Sequence, residues 1–182
     1  MTAAAAGTKR GVLLALGGNV GDVPAHFRAA LGRLCSIGVT PLACSRLYGS
    51  RAMVLPGERA QSSYVNAAVL AESALFPATL VDACHRLASS FGVRQGAAGR
   101  RWQARPLDID VIAIDGVQSD EPHCRLPHPA MPMRPFVLWP VCDVAWQWPF
   151  GPHGRTAPAY LARLARADDG IESVRLTWRG MT

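Results

Sequence analysis

Arg105-Pro106-Leu107-Asp108-Ile109-Asp110-Val111-Ile112-Ala113-Ile114, followed by Asp115-Gly116, reads as a β-strand that runs into a tight turn. Side chains alternate between the two faces of a strand. Leu107, Ile109, Val111 and Ala113 therefore form one apolar set, and Asp108 and Asp110 project together on the other face. Beyond Asp110 that second face continues with Ile112 and Ile114, which predicts a strand buried on both faces with two carboxylates at one end. Asp-Gly is a strong hairpin-turn signal. Two adjacent hard oxygen donors are what magnesium needs while it also holds phosphate oxygens. An isolated Asp-x-Asp is also an ordinary solvated strand end.

Working outward, the apolar run 12–16 stopped by Gly17-Gly18 predicts a buried strand. Phe27, Ala30, Leu31 and Leu34 fall at helical spacing within 24–37, with Asp22 as N-cap and Gly38 as stop. Residues 40–48 predict a second strand, 51–62 a loop around Pro56-Gly57, 64–70 a third strand and 78–91 a second helix ended by Gly92. A loop rich in Gly, Ala and Arg over 92–103 then leads to the fourth strand, 107–114. Strand, helix, strand, strand, helix, strand is the split βαβ order. The expected fold is thus α+β, a ferredoxin-like antiparallel sheet whose helices can cover one face. The proline-punctuated segment 127–140 is expected to be irregular, with a further helix at 158–166 and a final strand at 171–178 as a C-terminal extension.

Bulk composition bounds the function. The 182 residues, 49% of them hydrophobic, suffice for one domain with a full core. Residues 1–10 read as a disordered tail ahead of a single domain over 11–182. No apolar run approaches the roughly 18 residues of a membrane span. The cysteines, Cys35, Cys44, Cys84, Cys124 and Cys142, are odd in number and lack a Cys-x-x-Cys pair, which predicts reduced thiols in the cytoplasm rather than disulfides or zinc. A net charge of +6 implies an anionic partner. The basic residues make no long stripe interleaved with aromatics, so nucleic acid is not expected. They concentrate instead at Arg94, Arg100, Arg101 and Arg105, close to the paired acids, an arrangement suited to a metal-bound polyphosphate. A solvated basic loop would look the same for Arg100 and Arg101.

Further candidates flank this cluster. His128 sits between prolines in Leu126-Pro127-His128-Pro129, with Arg134 and Phe136 following. Tyr64 and Asn66 lie two apart on a strand and could offer a ring and an amide to a flat heterocycle, although a core tyrosine and a sheet-edge amide fit equally. Gly17-Gly18-Asn19-Val20-Gly21-Asp22 is neither a dinucleotide fingerprint nor a Walker A loop, and reads as a strand-to-helix turn.

Together these segments resemble the hydroxymethyldihydropterin pyrophosphokinase family. The matching motifs are Leu16-Gly17-Gly18-Asn19-Val20-Gly21-Asp22, Ser45-Arg46-Leu47-Tyr48, Tyr64-Val65-Asn66-Ala67-Ala68, Arg105-Pro106-Leu107-Asp108-Ile109-Asp110, and Leu126-Pro127-His128-Pro129 ahead of Arg134-Pro135-Phe136-Val137-Leu138. The resemblance implies a ferredoxin-like fold and transfer of pyrophosphate from ATP to the hydroxymethyl group of a reduced pterin, 6-hydroxymethyl-7,8-dihydropterin. AMP is released, in folate biosynthesis. It implies two magnesium ions on Asp108 and Asp110, with Arg94 and Arg105 joining those acids as catalytic residues. Trp102, Arg105, His128 and Arg134 would contact ATP, and Tyr64, Asn66 and Phe136 the pterin. The expected partners are ATP and the pterin, without membrane or nucleic acid, in a cytoplasmic monomer or weak homodimer.

The chain also departs from the family pattern. Ala88 stands where an acid is usual, Gly92-Val93-Arg94-Gln95 replaces Gly-Arg-x-Arg, Ala104 replaces a proline, and Gly18 replaces a serine. The pterin loop is barely recognisable in Ser50-Arg51-Ala52-Met53-Val54-Leu55-Pro56-Gly57. These changes keep two alternatives open. One is a divergent paralogue acting on a modified pterin, such as a methanopterin-like precursor. The other is a non-catalytic pterin- or nucleotide-binding module.

Overall fold

The computed structural model describes residues 8–52, 62–92 and 104–164, and the backbone of 171–172. Its central strand is β1 (Arg10–Gly18). Val12, Leu13, Leu14 and Leu16 are buried there, two percent exposed or less, so β1 has no solvent face. The helix α1 (Val23–Leu34) follows, capped by the Asp22 carboxylate, which accepts the Ala25 N–H at 3.0 Å. A single 3-10 turn carries α1 to Gly38, whose φ of 81° is the left-handed stop expected there. Then come β2 (Val39–Cys44), β3 (Tyr48–Ser50), β4 (Tyr64–Ser73), α2 (Pro77–Ser89), β5 (Asp108–Ile114), α3 (Pro135–Ala145), α4 (Ala157–Leu164) and β6 (Ile171–Glu172).

The sheet runs β5-β1-β4-β3-β6, with β2 also on β4, and every pairing is antiparallel. The order β5-β1-β4-β2 is the split βαβ arrangement expected from the sequence. One face buries Leu14, Leu16, Val69 and Ile109 under α1 and α2. The other buries Leu13, Ala68, Ile112 and Ala113 under α3, together with Phe150 and Ala157. Helices therefore cover both faces, not one.

α3 also corrects the irregular reading of 127–140. Pro135 opens the helix, where a missing N–H costs nothing. Pro140 lies inside it and removes a backbone bond, a loss of about 3 kcal/mol in an isolated helix. Burial of Val137, Leu138 and Val141 against the sheet offsets that loss.

Three further expectations change. First, the strand expected over 40–48 is broken. β2 stops at Cys44 and β3 starts at Tyr48. At the break Ser45 N donates to Ala68 O at 2.9 Å, and the Ser45 hydroxyl accepts Ala68 N–H at 2.8 Å, so a side-chain oxygen stands in for a ladder carbonyl. Second, β5 carries a bulge. Leu13 opposes Ala113 while Leu14 opposes Val111, leaving Ile112 as the extra residue. The alternation slips there: Ala113 joins Ile112 on the α3 side and Ile114 moves to the α1 and α2 side. Third, the Asp115-Gly116 turn forms, with Val117 N donating to Ile114 O at 3.0 Å. No following strand pairs with β5 among the described residues, and the chain closes instead on a Ser119–Leu126 bridge. Of the final strand expected at 171–178, Ile171 and Glu172 are described and pair with β3.

A polar clamp joins the strand break to α3. The Asp143 carboxylate accepts the Arg46 backbone N–H at 3.0 Å, its Nε at 3.1 Å and its NH2 at 2.7 Å, and the Tyr48 hydroxyl at 3.0 Å. Burial alone would push the Asp143 carboxyl up. The hydrogen bonds from Arg46 and Tyr48 outweigh it and hold the group below its ordinary value. Burial and the neighbouring carboxylate push the Tyr48 phenol up to about 12, so it stays a donor. A carboxylate depressed in the folded state stabilises the fold above its unfolded pKa of about 3.9 and loses that contribution as pH falls through the folded value. Asp143→Ala is expected to lower the thermal midpoint by roughly 2–4 °C at neutral pH. Parallel melts down a pH series should show the gap to wild type closing once Asp143 protonates. A constant gap would assign the loss to packing instead.

Candidate functional site

The β1 register assembles the site. Gly17 opposes Asn66 of β4 on one edge and Asp108 of β5 on the other, and Ala15 opposes Ala68 and Asp110. Directly opposed residues share a face. Asn66, Asp108 and Asp110 therefore rise from one side of the sheet, separated only by the small residues of β1. A Cβ added to Gly17 would meet nothing nearer than Asn66 Oδ1, at 3.7 Å. The result is a cleft of about 400 Å³ floored by Ala15 and Gly17.

The other walls come from outside the central strands. α3 begins with Arg134 and Phe136 at the cleft, and the Arg134 guanidinium lies 5.9 Å over the Phe136 ring. Arg134 NH1 reaches to 3.9 Å from Asp110 Oδ2, and Arg105 NH1 donates to Asp108 Oδ2. Each acid thus faces a guanidinium, which offsets the repulsion between two neighbouring carboxylates. The carbonyl of the bulged Ile112 accepts the His128 N–H at 2.8 Å, fixing His128 beside the acids. His128 Nδ1 accepts the Ala130 N–H at 3.2 Å, so the neutral ring carries its proton on Nε2. Burial lowers the His128 pKa below its ordinary value, Asp110 opposes that shift and Arg134 adds to it. A neutral Nε2–H donor results.

Tyr64, Asn66, Arg105, Asp108, Asp110, His128, Arg134 and Phe136, all singled out from the sequence, line this one cleft. Arg94 and Trp102 lie outside the described residues, as do Arg100, Arg101 and 53–57 of the loop before Tyr64. Ala88, where an acid was expected, is 5% exposed and packs in the core between α2 and the sheet. Among the described residues no group of three or more His, Cys, Asp or Glu could enclose a metal. Two carboxylates on one face nevertheless fit magnesium, which commonly takes one or two protein oxygens and completes its shell with phosphate and water.

Sequence reasoning took Gly17-Gly18-Asn19 for a plain turn. The structure gives Asn19 more to do. Its backbone N–H donates to Arg105 O at 2.9 Å, its Oδ1 accepts Arg105 N–H at 2.9 Å, and its Nδ2 donates to Ser62 O at 3.2 Å. It ties the approach to the Asp108–Asp110 strand to the approach to Tyr64 and Asn66. Gly18 next to it packs so tightly that an added Cβ would lie 2.4 Å from Pro106 O. The available signal was a polar residue in the turn that is not the helix cap, since Asp22 fills that role.

Comparison with known proteins gives one consistent result. The family model described as 7,8-dihydro-6-hydroxymethylpterin-pyrophosphokinase (HPPK) matches residues 13–146. The 2-amino-4-hydroxy-6-hydroxymethyldihydropteridine pyrophosphokinase of Synechocystis is 32% identical over 148 residues, 80% of this chain and 72% of the relative. Its namesake from Methylorubrum extorquens is 34% identical over 163 residues, 88% of this chain and 96% of the relative. The crystal structure of Plasmodium falciparum HPPK-DHPS A437G/K540E with pterin and p-hydroxybenzoate matches with a TM-score of 0.64 at 10% identity. That likeness, one of fold, covers 90% of this chain and 45% of the longer one, so the chain spans less than half its length.

Asn19→Ala removes the acceptor of the half-buried Arg105 N–H and is expected to cost about 1–2 kcal/mol in urea unfolding. Asn19→Asp keeps that acceptor while losing the donor to Ser62, so its cost should be smaller. Equal costs for the two would show that the Arg105 contact is not what Asn19 secures.

Proposed function

The chain belongs to the 7,8-dihydro-6-hydroxymethylpterin-pyrophosphokinase family, and we propose that its cleft transfers pyrophosphate from ATP to 6-hydroxymethyl-7,8-dihydropterin with release of AMP. It is an ATP-dependent enzyme of folate biosynthesis. The observation that carries the site assignment is the shared face of Asn66, Asp108 and Asp110 across the Gly17 floor. A heterocycle reader and a pair of acids then stand within one small molecule's length of each other.

The chemistry joins the hydroxymethyl oxygen to the β-phosphorus of ATP. The bond from that phosphorus to the oxygen bridging the α-phosphorus breaks, and AMP leaves with that oxygen. The hydroxyl proton is released and no bond to the protein forms. Positioning and charge neutralisation dominate such a transfer. Asp108 and Asp110 would hold magnesium, two ions by family resemblance, which supplies charge neutralisation on the phosphate oxygens. Arg105 and Arg134 rest against those acids, ready to exchange onto phosphate oxygens as planar forks. His128 offers Nε2–H to the same chain of oxygens. Tyr64 and Phe136 line the same cleft and would offer ring faces to the pterin, and by family resemblance Arg94 would join the catalytic groups and Trp102 would contact ATP.

Neither the modified-pterin paralogue nor the binding module is favoured, because the family model and the relatives carry the pyrophosphokinase name. We read 11–182 as one domain, monomeric or weakly dimeric, although Arg10 in β1 already pairs with Ser73. No described helix is long and apolar enough to cross a membrane. All cysteines are free thiols, which supports a cytoplasmic location.

AMP release from magnesium ATP is expected only when the pterin is present. Asp110→Ala should reduce it by roughly two to three powers of ten with the fold retained, in line with the loss of one charge-positioning group. ATP cleavage that ignores the pterin, or AMP no higher than the variant's background, would refute the reading.

A further inference from the structure

Asn66 is 5% exposed, and its amide is fully specified on one side. Nδ2 lies 3.2 Å from Tyr48 O and 2.9 Å from the Ser50 hydroxyl. A backbone carbonyl only accepts, so the amide atom facing Tyr48 must be the nitrogen. The opposite rotamer would set two acceptors against each other. The second N–H is taken by Ser50, which stands diagonally across the β3–β4 pair, opposite Tyr64. Both donors of Asn66 are therefore consumed within the protein. Oδ1 accepts no hydrogen bond among the described residues and lies over the Gly17 floor of the cleft.

From this geometry we infer that Ser50 is a positioning residue which, by taking the second Asn66 N–H, leaves the cleft an acceptor and no donor at that point. The inference rests on the pterin reading of the cleft. The ligand edge read there must carry an N–H donor, and the 2-amino group in the names of the related enzymes is of that class. Without the Ser50 hydroxyl, a buried N–H loses its partner. The amide then turns or admits water, and the polarity of the subsite blurs.

The test compares Ser50→Val and Ser50→Thr in the full chain. The two replacements have nearly the same shape and differ in the hydroxyl. AMP release is measured against pterin and against ATP, with thermal midpoints alongside. Ser50→Val is expected to raise the pterin KM about tenfold, the scale of one hydrogen bond, with kcat and the ATP KM close to wild type. Ser50→Thr should restore the wild-type pterin KM. A pterin analogue without the 2-amino group should be rejected strongly by wild type and weakly by Ser50→Val. An unchanged pterin KM in Ser50→Val, failure of Thr to restore it, or a parallel loss for ATP with a fallen midpoint would each overturn the assignment. Pterin-independent behaviour of the wild type would remove the function reading and this assignment together. Normal wild-type turnover with an indifferent Ser50→Val removes the assignment alone.

Discussion

β1 is hydrogen-bonded on both edges and buried on both faces, and its last residues on the α3 side are Ala15 and Gly17. These constraints act together. Two-edged pairing fixes the register of β4 and β5 relative to each other through a common partner. Burial on both faces makes a one-residue slip costly, because it would turn every side chain onto the wrong side. Small residues at the end of the strand then leave a gap where the register brings polar side chains. Asn66 and Asp108 come from strands far apart in the chain, yet their separation is set by ladder geometry and not by any loop.

The bulge at Ile112 has a similar reach. Upstream of it, Asp108 and Asp110 point to the α3 side. Downstream, the apolar residues redistribute between the two cores. The Ile112 carbonyl receives His128, so one irregularity closes the apolar layer and places an imidazole next to the acids. The opposite wall is held from further away. α3 follows directly on Arg134 and carries Phe136 at its start and Asp143 two turns later, where Arg46 and Tyr48 secure it to the break between β2 and β3. Tyr48 takes part at both ends, with its hydroxyl on Asp143 and its carbonyl on Asn66.

Much of this was legible in the sequence. Periodicity located β1, α1 and α2, the Asp22 cap and the Gly38 stop, and the period-two pattern put the acids on one face. The misses have physical causes. A bulge is a tertiary compromise between two strands and leaves no local mark in Val111-Ile112-Ala113. The break at Ser45 is possible because a hydroxyl replaces a carbonyl, which depends on Ala68, distant in sequence. α3 was hidden by Pro135 and Pro140, whose helix-breaking tendency is overridden by burial of Val137, Leu138 and Val141 against the sheet. Asn19 and Ser50 act through partners on other segments, and nothing in the residues around them names the partner that each one holds.

Gly18 has a consequence for how this chain can change. The family resemblance would put a serine at this position, yet Pro106 O occupies the space a Cβ would need. A serine placed here would therefore not be neutral. It would push on the backbone that leads into Arg105 and the acids. Positions 18 and 106 are coupled in this structure, because the glycine leaves open the space next to the proline carbonyl. Grafts of more typical family segments into this chain should exchange the two segments together.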